Sequence, residues 1–410
     1  MMRVLTICLI IYSQTIYATI IVVDQNTLAN SISQAVQSAN SGDTILIKKG
    51  IYYINNVVLT KSVTIIGQDL PVLHGSDKFE LLTIRGKNIS ISGIEFSHSG
   101  YSGMTDMAGI TIVDASYITV ENNRFTQTYF GIHAANSHHF TIRKNELKGV
   151  TKSEQTSGNG IHLWKCSYAL VENNNSSGHR DGIYFEFVTN SRIQRNLSHN
   201  NIRYGLHFMF SNDNIYSDNT FRHNGAGVAV MFSKNVTMIH NNFENNWGAA
   251  AYGILLKEIN DSKITNNTFY RNTVGILMEG ANRISVEYNT FRENGWASKV
   301  QASCSDNRFS HNNFLSNTFD ISTNGSLVLN DFSENYWDKY EGYDLNRDGT
   351  GDIPYRPVSM YSMLIEQNAN SLLLLRSFLV TLLDKAEKAI PSLTPENLKD
   401  NKPFMKKLNL

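Results

Sequence analysis

A glycine that returns about every 22 residues, an asparagine that keeps step with it, and a scarcity of proline predict an all-β chain. The class is a right-handed parallel β-helix of about 22 residues per coil, with an N-terminal helical cap and a helical C-terminal tail. The glycines are Gly109, Gly131, Gly160, Gly182, Gly205, Gly227, Gly253 and Gly275, at intervals of 22, 29, 22, 23, 22, 26 and 22. The asparagines stand two residues before Phe or Leu at Asn123, Asn145, Asn219, Asn241, Asn267, Asn289 and Asn312, and Asn174 and Asn196 fall in the same phase. Coils stacked at the interstrand spacing bring equivalent residues together. Asn then serves twice, by tolerating a left-handed bend and by hydrogen-bonding from coil to coil. Gly opens each strand after a second bend. The right hand follows from the usual crossover chirality.

Taken in chain order, residues 1–18 read as a secretory signal. Arg3 precedes the apolar run Val4 to Tyr12, which is too short to span a bilayer, and Ala18 offers a cleavage point. Residues 19–340 form the β-helix. Leu28, Ile32, Ala35, Val36 and Ala39 have helical spacing and cover the first coil. Irregular coils run to about residue 108. Residues 341–358 are an Asp/Gly-rich loop, and residues 359–410 a helical tail that docks on a partner or on the β-helix. Its apolar stretch includes Leu372, Leu375, Phe378, Leu379 and Leu382, is interrupted by Arg376, and is too short to cross a membrane. With the signal removed, only Cys166 and Cys304 remain, too few for a disulfide framework; both read as buried small hydrophobes.

Composition narrows function. The chain has 36 Lys+Arg against 36 Asp+Glu and only 18% charged residues. That leaves no basic excess for nucleic acid, and 41% hydrophobic residues argue against disorder.

Alternation along the strands sorts the side chains. The residue after each glycine, and the one two further on, point inward. The second positions point outward: His133, His162, Tyr184, His207, Ala229, Leu255 and Leu277. The fourth positions do likewise: Trp164, Glu186, Met209, Met231, Lys257 and Glu279. Neither row pairs carboxylates on adjacent coils, as an enzyme acting on acidic polysaccharides would require. Asp181, Asp213 and Glu258 lie near bends. The rows do contain soft ligands. His207 and Met209 are two apart on one strand, and Met231 falls beside Met209 on the next coil. Imidazole with thioether suits Cu(I). Met238 and His240, one strand later, are weaker candidates, and His138–His139 reads as a bend pair. In the Asp/Gly-rich loop, Asp344, Asn346, Asp348 and Asp352 around Gly349 match the first part of a calcium loop, but Tyr355 stands where the bidentate Glu belongs. The pattern fits either a Ca(II) site or a turn.

Longer strings carry a resemblance. Asp181-Gly182-Ile183-Tyr184-Phe185-Glu186-Phe187, Tyr204-Gly205-Leu206-His207-Phe208-Met209-Phe210 and Gly225-Ala226-Gly227-Val228-Ala229-Val230-Met231 resemble the NosD family of nitrous oxide reductase maturation proteins. So do Gly275-Ile276-Leu277-Met278-Glu279-Gly280, Asn294-Gly295-Trp296-Ala297 and Asp352-Ile353-Pro354-Tyr355-Arg356-Pro357. The resemblance implies a right-handed β-helix in the periplasm, peripheral to the inner membrane and not itself an enzyme. It implies partnership with an ABC-type ATPase and its membrane permease. It further implies receipt of Cu(I) from a copper chaperone lipoprotein and supply of copper to nitrous oxide reductase. The chain carries no Gly-x-x-x-x-Gly-Lys motif, so the ATPase is a separate chain. The alternative from another class is a polysaccharide lyase, hydrolase or epimerase on the same scaffold, and a third is an adaptor with no metal of its own.

Overall fold

The computed structural model describes residues 18–25, 31–102, 105–151, 153–248, 250–325, 329–390 and 398–410. The signal expected over residues 1–18 therefore lies almost wholly outside the described residues, as does Leu28 of the expected cap. The chain is a right-handed parallel β-helix of about 13 turns. Its strands stack into three parallel sheets of 14, 12 and 13 strands. A short helix, α1 (Ile32–Ser38), covers the first coil, capped by Ser31, whose side chain accepts from Gln34 N; Ile32 and Ala35 are buried beneath it. Coils begin well before residue 108. Strands Thr44–Ile47, Thr64–Gly67 and Lys87–Ser92 already pair in register, although loops interrupt their sequence period.

The inward rows fill the core. Ile110, Ile132, Ile161, Ile183, Leu206, Val228, Ile254 and Ile276 are fully buried. Opposite them Phe221, Phe243, Phe269, Phe291, Phe314 and Trp337 stack at ring-centroid distances of 5.6, 4.8, 4.7, 4.9 and 4.0 Å.

The asparagine column divides its labour differently from the expectation. Asn123, Asn145, Asn174, Asn196, Asn219, Asn241, Asn267, Asn289, Asn312 and Asn335 are all buried. Each up to Asn312 passes its Nδ2 to the next Oδ1, at 3.0 Å between Asn219 and Asn241. The left-handed bend falls one residue earlier, on Asn122, Lys144, Asn173, Arg195, Asp218, His240, Asn266, Tyr288, His311 and Glu334. So the ladder asparagines are kept for their amides, and the bend accepts almost any side chain.

The glycine column also has another cause. None of its members has a positive φ. A Cβ at Gly131 or Gly160 would stand 2.5 Å from the carbonyl oxygen of the next glycine in the column. Coils approach too closely there for a side chain.

The C-terminal region is only partly helical. Helices α2 (Met360–Gln367) and α3 (Phe378–Ala389) flank a 3₁₀ turn at Ala369–Leu374. Residues 398–410 instead return to the end of the β-helix. Asp400, fully buried, accepts from Asn335 N at 2.9 Å, Asn335 Nδ2 at 3.2 Å and Trp337 Nε1 at 3.0 Å. It thereby ends the asparagine ladder, and supplies the edge protection an open coil needs. Among the described residues, no helix is long and apolar enough to cross a membrane.

Candidate functional site

The 12-stranded sheet carries the two outward rows. Parallel register places His133 beside His162, His162 beside Tyr184, Tyr184 beside His207, and His207 beside Ala229. The rings follow one another at 4.9, 4.7 and 4.8 Å. The fourth-position row runs Trp164, Glu186, Met209, Met231, Lys257, Glu279 on neighbouring strands. Met209 and Met231 are thus direct cross-strand partners, both partly exposed.

Though outward, much of the second row is shielded. His207 is 5% exposed, and Ala229, Leu255 and Leu277 lie beneath Tyr204, Tyr252, Trp296 and Met231. The row is therefore the floor of a groove. Asp181, in the bend before the strand Ile183–Glu186, enters this groove fully buried. Its carboxylate oxygens stand 3.6 Å from Arg203 Nε, 3.8 Å from Arg180 Nε and 3.7 Å from His207 Nδ1. Arg203 Nη2 lies 3.5 Å from the same Nδ1. His207 Nε2 is buried with no protein partner. At 3.7 Å the carboxylate is beyond hydrogen-bonding reach of Nδ1, and Arg203 Nη2, which can only donate, is the group that meets that nitrogen. The Tyr184 hydroxyl is placed to donate its one proton either to Glu186 Oε2, at 3.3 Å, or to Met209 Sδ, at 3.6 Å. Burial, then Glu186, pushes its pKa well up, so it remains a donor.

Beside this row runs a surface stack of Phe187, Phe210 and Phe232, with ring centroids 5.2 and 5.0 Å apart. All three are exposed and all three have left-handed backbone, with φ of 54°, 49° and 52°. Bulky residues seldom adopt that conformation.

Other expected ligands fall elsewhere. Met238 is fully buried in the core, so it is not a surface ligand. His240 is exposed at a bend, 3.8 Å from Asp218. His138 and His139 lie among Tyr117 and Tyr168. Asp213 accepts from Asn235 at 2.7 Å, and Glu258 occupies a left-handed bend against Gly280. Cys166 and Cys304 are buried and unpaired; burial pushes the Cys166 thiol up to about 12.

In the Asp/Gly-rich loop, side-chain oxygens accept from the loop's own amides. Asp344 receives Asp348 N at 3.2 Å and Gly349 N at 2.9 Å, and Asp348 receives Thr350 N at 2.8 Å. Asn346 receives Asp348 N at 3.1 Å, and Asp352 receives Leu345 N at 2.7 Å. Among the described residues, the carboxylates of Asp344, Asp348 and Asp352 are not gathered within 4.8 Å of one another.

The group that does converge is one the sequence did not suggest. One ligand atom each of Asp106, His133 and His162 lie within 4.8 Å of one another. The outward row already held both histidines. Asp106 sits in a loop outside the period, and no spacing announces it.

These features define the class: a parallel β-helix with outward histidines and methionines in register on one outer sheet. Residues 149–342 match the family model described as NosD, periplasmic copper-binding protein. A Stutzerimonas stutzeri protein named probable ABC transporter binding protein NosD is 32% identical over 110 residues, covering 26% of this chain and 25% of that one. A Pseudomonas aeruginosa protein of the same name is 31% identical over 110 residues, 26% of each. The aligned stretch thus spans about a quarter of those relatives. Solved structures of similar fold include a PL6 alginate lyase complexed with a trisaccharide, with TM-score 0.60, 15% identity, and coverage of 78% of this chain and 85% of that one. A Yersinia enterocolitica family 28 exopolygalacturonase aligns with TM-score 0.57 and 12% identity over 77% and 78%. At such identities the likeness concerns the fold.

Proposed function

We propose that this chain is a periplasmic, non-enzymatic accessory protein that carries Cu(I) for maturation of nitrous oxide reductase, working with an ABC-type ATPase and its permease. The observation that carries the reading is Met209 and Met231 side by side in register, on the face where His207 keeps Nε2 unpartnered. Two thioethers and one imidazole are neutral, soft donors that suit Cu(I) and can exchange it with a partner. Asp181 places a buried negative charge 3.7 Å from the imidazole. The Phe187–Phe210–Phe232 stack forms an apolar rim on which a copper chaperone lipoprotein would dock, and the strained backbone beneath it fits a functional edge. The family description and the relatives' names support the copper and transporter parts of the reading.

The tail supplies the docking surface for the permease. Helix α3 turns Val380 and Leu383 onto the cluster of Phe319, Tyr361 and Ile365. That leaves Leu372, Leu375, Phe378, Leu379 and Leu382 exposed, Phe378 by 82%. Such a patch on a charged-poor surface marks an interaction site. Because residues 398–410 cap the β-helix, truncation would test folding rather than docking. Phe378→Glu with Leu382→Glu is the suitable variant: it should stay folded and lose co-purification with the permease, and a surviving complex would sink the docking role. The Asp/Gly-rich loop reads as a self-closed turn that needs no calcium. For copper itself, His207→Ala with Met209→Ala and Met231→Ala should fold yet leave the reductase short of copper; a fully loaded reductase would remove the assignment. Incubation with uronic-acid polymers addresses the enzyme alternative, for which new unsaturated or reducing ends would speak.

A further inference from the structure

We propose that Asp106, His133 and His162 form a second metal site, separate from the His207–Met209–Met231 cluster, that takes a divalent ion of borderline softness such as Zn(II) or Cu(II). His133 and His162 are register partners on adjacent strands, so the sheet itself fixes their spacing. Their rings stand 4.9 Å apart, and Phe130 packs against both, at 5.9 and 5.5 Å. Asp106 Oδ2 approaches His133 Nε2 to 3.9 Å, and the carboxylate is half exposed, so it reaches the site from the solvent side. Both ring nitrogens of His162 are buried without a hydrogen-bond partner. A buried polar group left unpaired is costly, and a bound ion is what would satisfy this one.

The ligand atoms lie within 4.8 Å of one another. A tetrahedral ion with ligand bonds of about 2.0–2.1 Å needs them roughly 3.4 Å apart, a closure within reach of side-chain rotation. Burial, followed by His133, Arg180 and His207, keeps His162 neutral, the form that binds metal. Glu80, held by Thr83 and Thr111 on preceding coils, adds negative charge beneath His133, and Arg180 opposes it from the far side. Two imidazoles and one carboxylate are harder than two thioethers and an imidazole, and they leave a coordination position open. The groove thus holds a borderline station and a soft station, with the Tyr184 ring between them, edge-on to His162 and tilted against His207. This inference stands independently of the copper-supply reading.

The test is Zn(II) titration of the full, untagged chain after chelator treatment, followed calorimetrically and by metal analysis after dialysis. We expect about one equivalent of Zn(II), displaced by Cu(II) in keeping with their relative affinities. His133→Gln, His162→Gln and the exposed Asp106→Asn should each weaken binding by about tenfold or more, while the His207/Met209/Met231 triple variant retains it. Asp106→Asn lies outside the strands and serves where a histidine variant unfolds. Failure of the wild-type chain to retain Zn(II), or equal affinity in Asp106→Asn and the wild type, would overturn the site. Loss of Zn(II) in the triple variant alone would place it at the other cluster and equally overturn this one.

Discussion

Asn241→Ala isolates what the asparagine column contributes. The Asn241 Oδ1 accepts from Asn219 N and Asn219 Nδ2, both at 3.0 Å. Its Nδ2 donates to Asn267 Oδ1 at 3.1 Å and to Tyr216 O at 3.0 Å. Truncation removes all four bonds. Asn219 Nδ2 keeps Ile193 O at 2.9 Å, and Asn267 Oδ1 keeps the amide of residue 241 at 2.8 Å. Asn219 N keeps nothing, in a position closed to water. An orphaned buried donor costs about 1–3 kcal/mol and each partly compensated loss about 0.5–1 kcal/mol, so the variant should lose about 3–5 kcal/mol. The matched control is Asn266→Gly, at the exposed bend one residue before the ladder, where φ is 54° and the side chain reaches only Thr265 Oγ1 at 3.3 Å. Glycine adopts that conformation freely, so this variant should fall within about 0.5 kcal/mol of wild type. Equilibrium urea unfolding followed by tryptophan fluorescence measures both. Repeat arrays can unfold in parts, so hydrogen exchange over residues 216–269 localises the loss. If the two variants differ by less than about 1 kcal/mol, the amide ladder is not what holds neighbouring coils together.

Three further outcomes follow from the same geometry. Burial lowers the pKa of His179 to about 4, below an unfolded value near 6.5, so its stabilising effect is whole above pH 6.5 and is lost as pH falls toward 4. The loss amounts to roughly 3 kcal/mol, and His179→Leu should flatten the stability profile across that window; an unchanged profile in urea melts at pH 4.5 and 7 would refute the assignment. Gly182→Ala would drive its methyl against Ser198 Oγ and to 2.7 Å from Asn201 Nδ2 and 2.8 Å from Gly205 O, so a drop of about 2 kcal/mol or more is expected, against little change for Gly248→Ala, whose methyl would meet only Ala251 Cβ at 3.7 Å. Calcium at about 5 mM should move the thermal midpoint by less than about 1 °C, because the oxygens of the Asp/Gly-rich loop are already engaged by amides; a rise of several degrees would establish an ion there.

Much of this fold is written in the sequence, because stacking at one interstrand spacing forces like residues into columns. Gly182 and Asn241 announce their columns by position alone, and alternation placed His207 and Met209 outward. Their reasons were less legible. Glycine was expected for backbone freedom, whereas close approach selects it; asparagine was expected for both a bend and amide pairing, and only the pairing falls to the ladder residues. The groove was harder still. Alternation says which side of a sheet a residue faces, not what covers that side, so the burial of Ala229 and Leu255 under Tyr204 and Tyr252 could not be read. Asp181 and Asp106 come from bends and loops outside the period, and their meeting with His207 and His133 depends on loop paths that no spacing encodes. Likewise Asp400 lies far along the chain from the ladder it terminates.

The central claim is that Met209, Met231 and His207 hold Cu(I). Anaerobic titration of the purified chain against a bicinchoninate competitor tests it most directly. The account predicts about one Cu(I) per chain withdrawn from the competitor, and none beyond background in the folded triple alanine variant. Equal competition by the triple variant and the wild-type chain would contradict it.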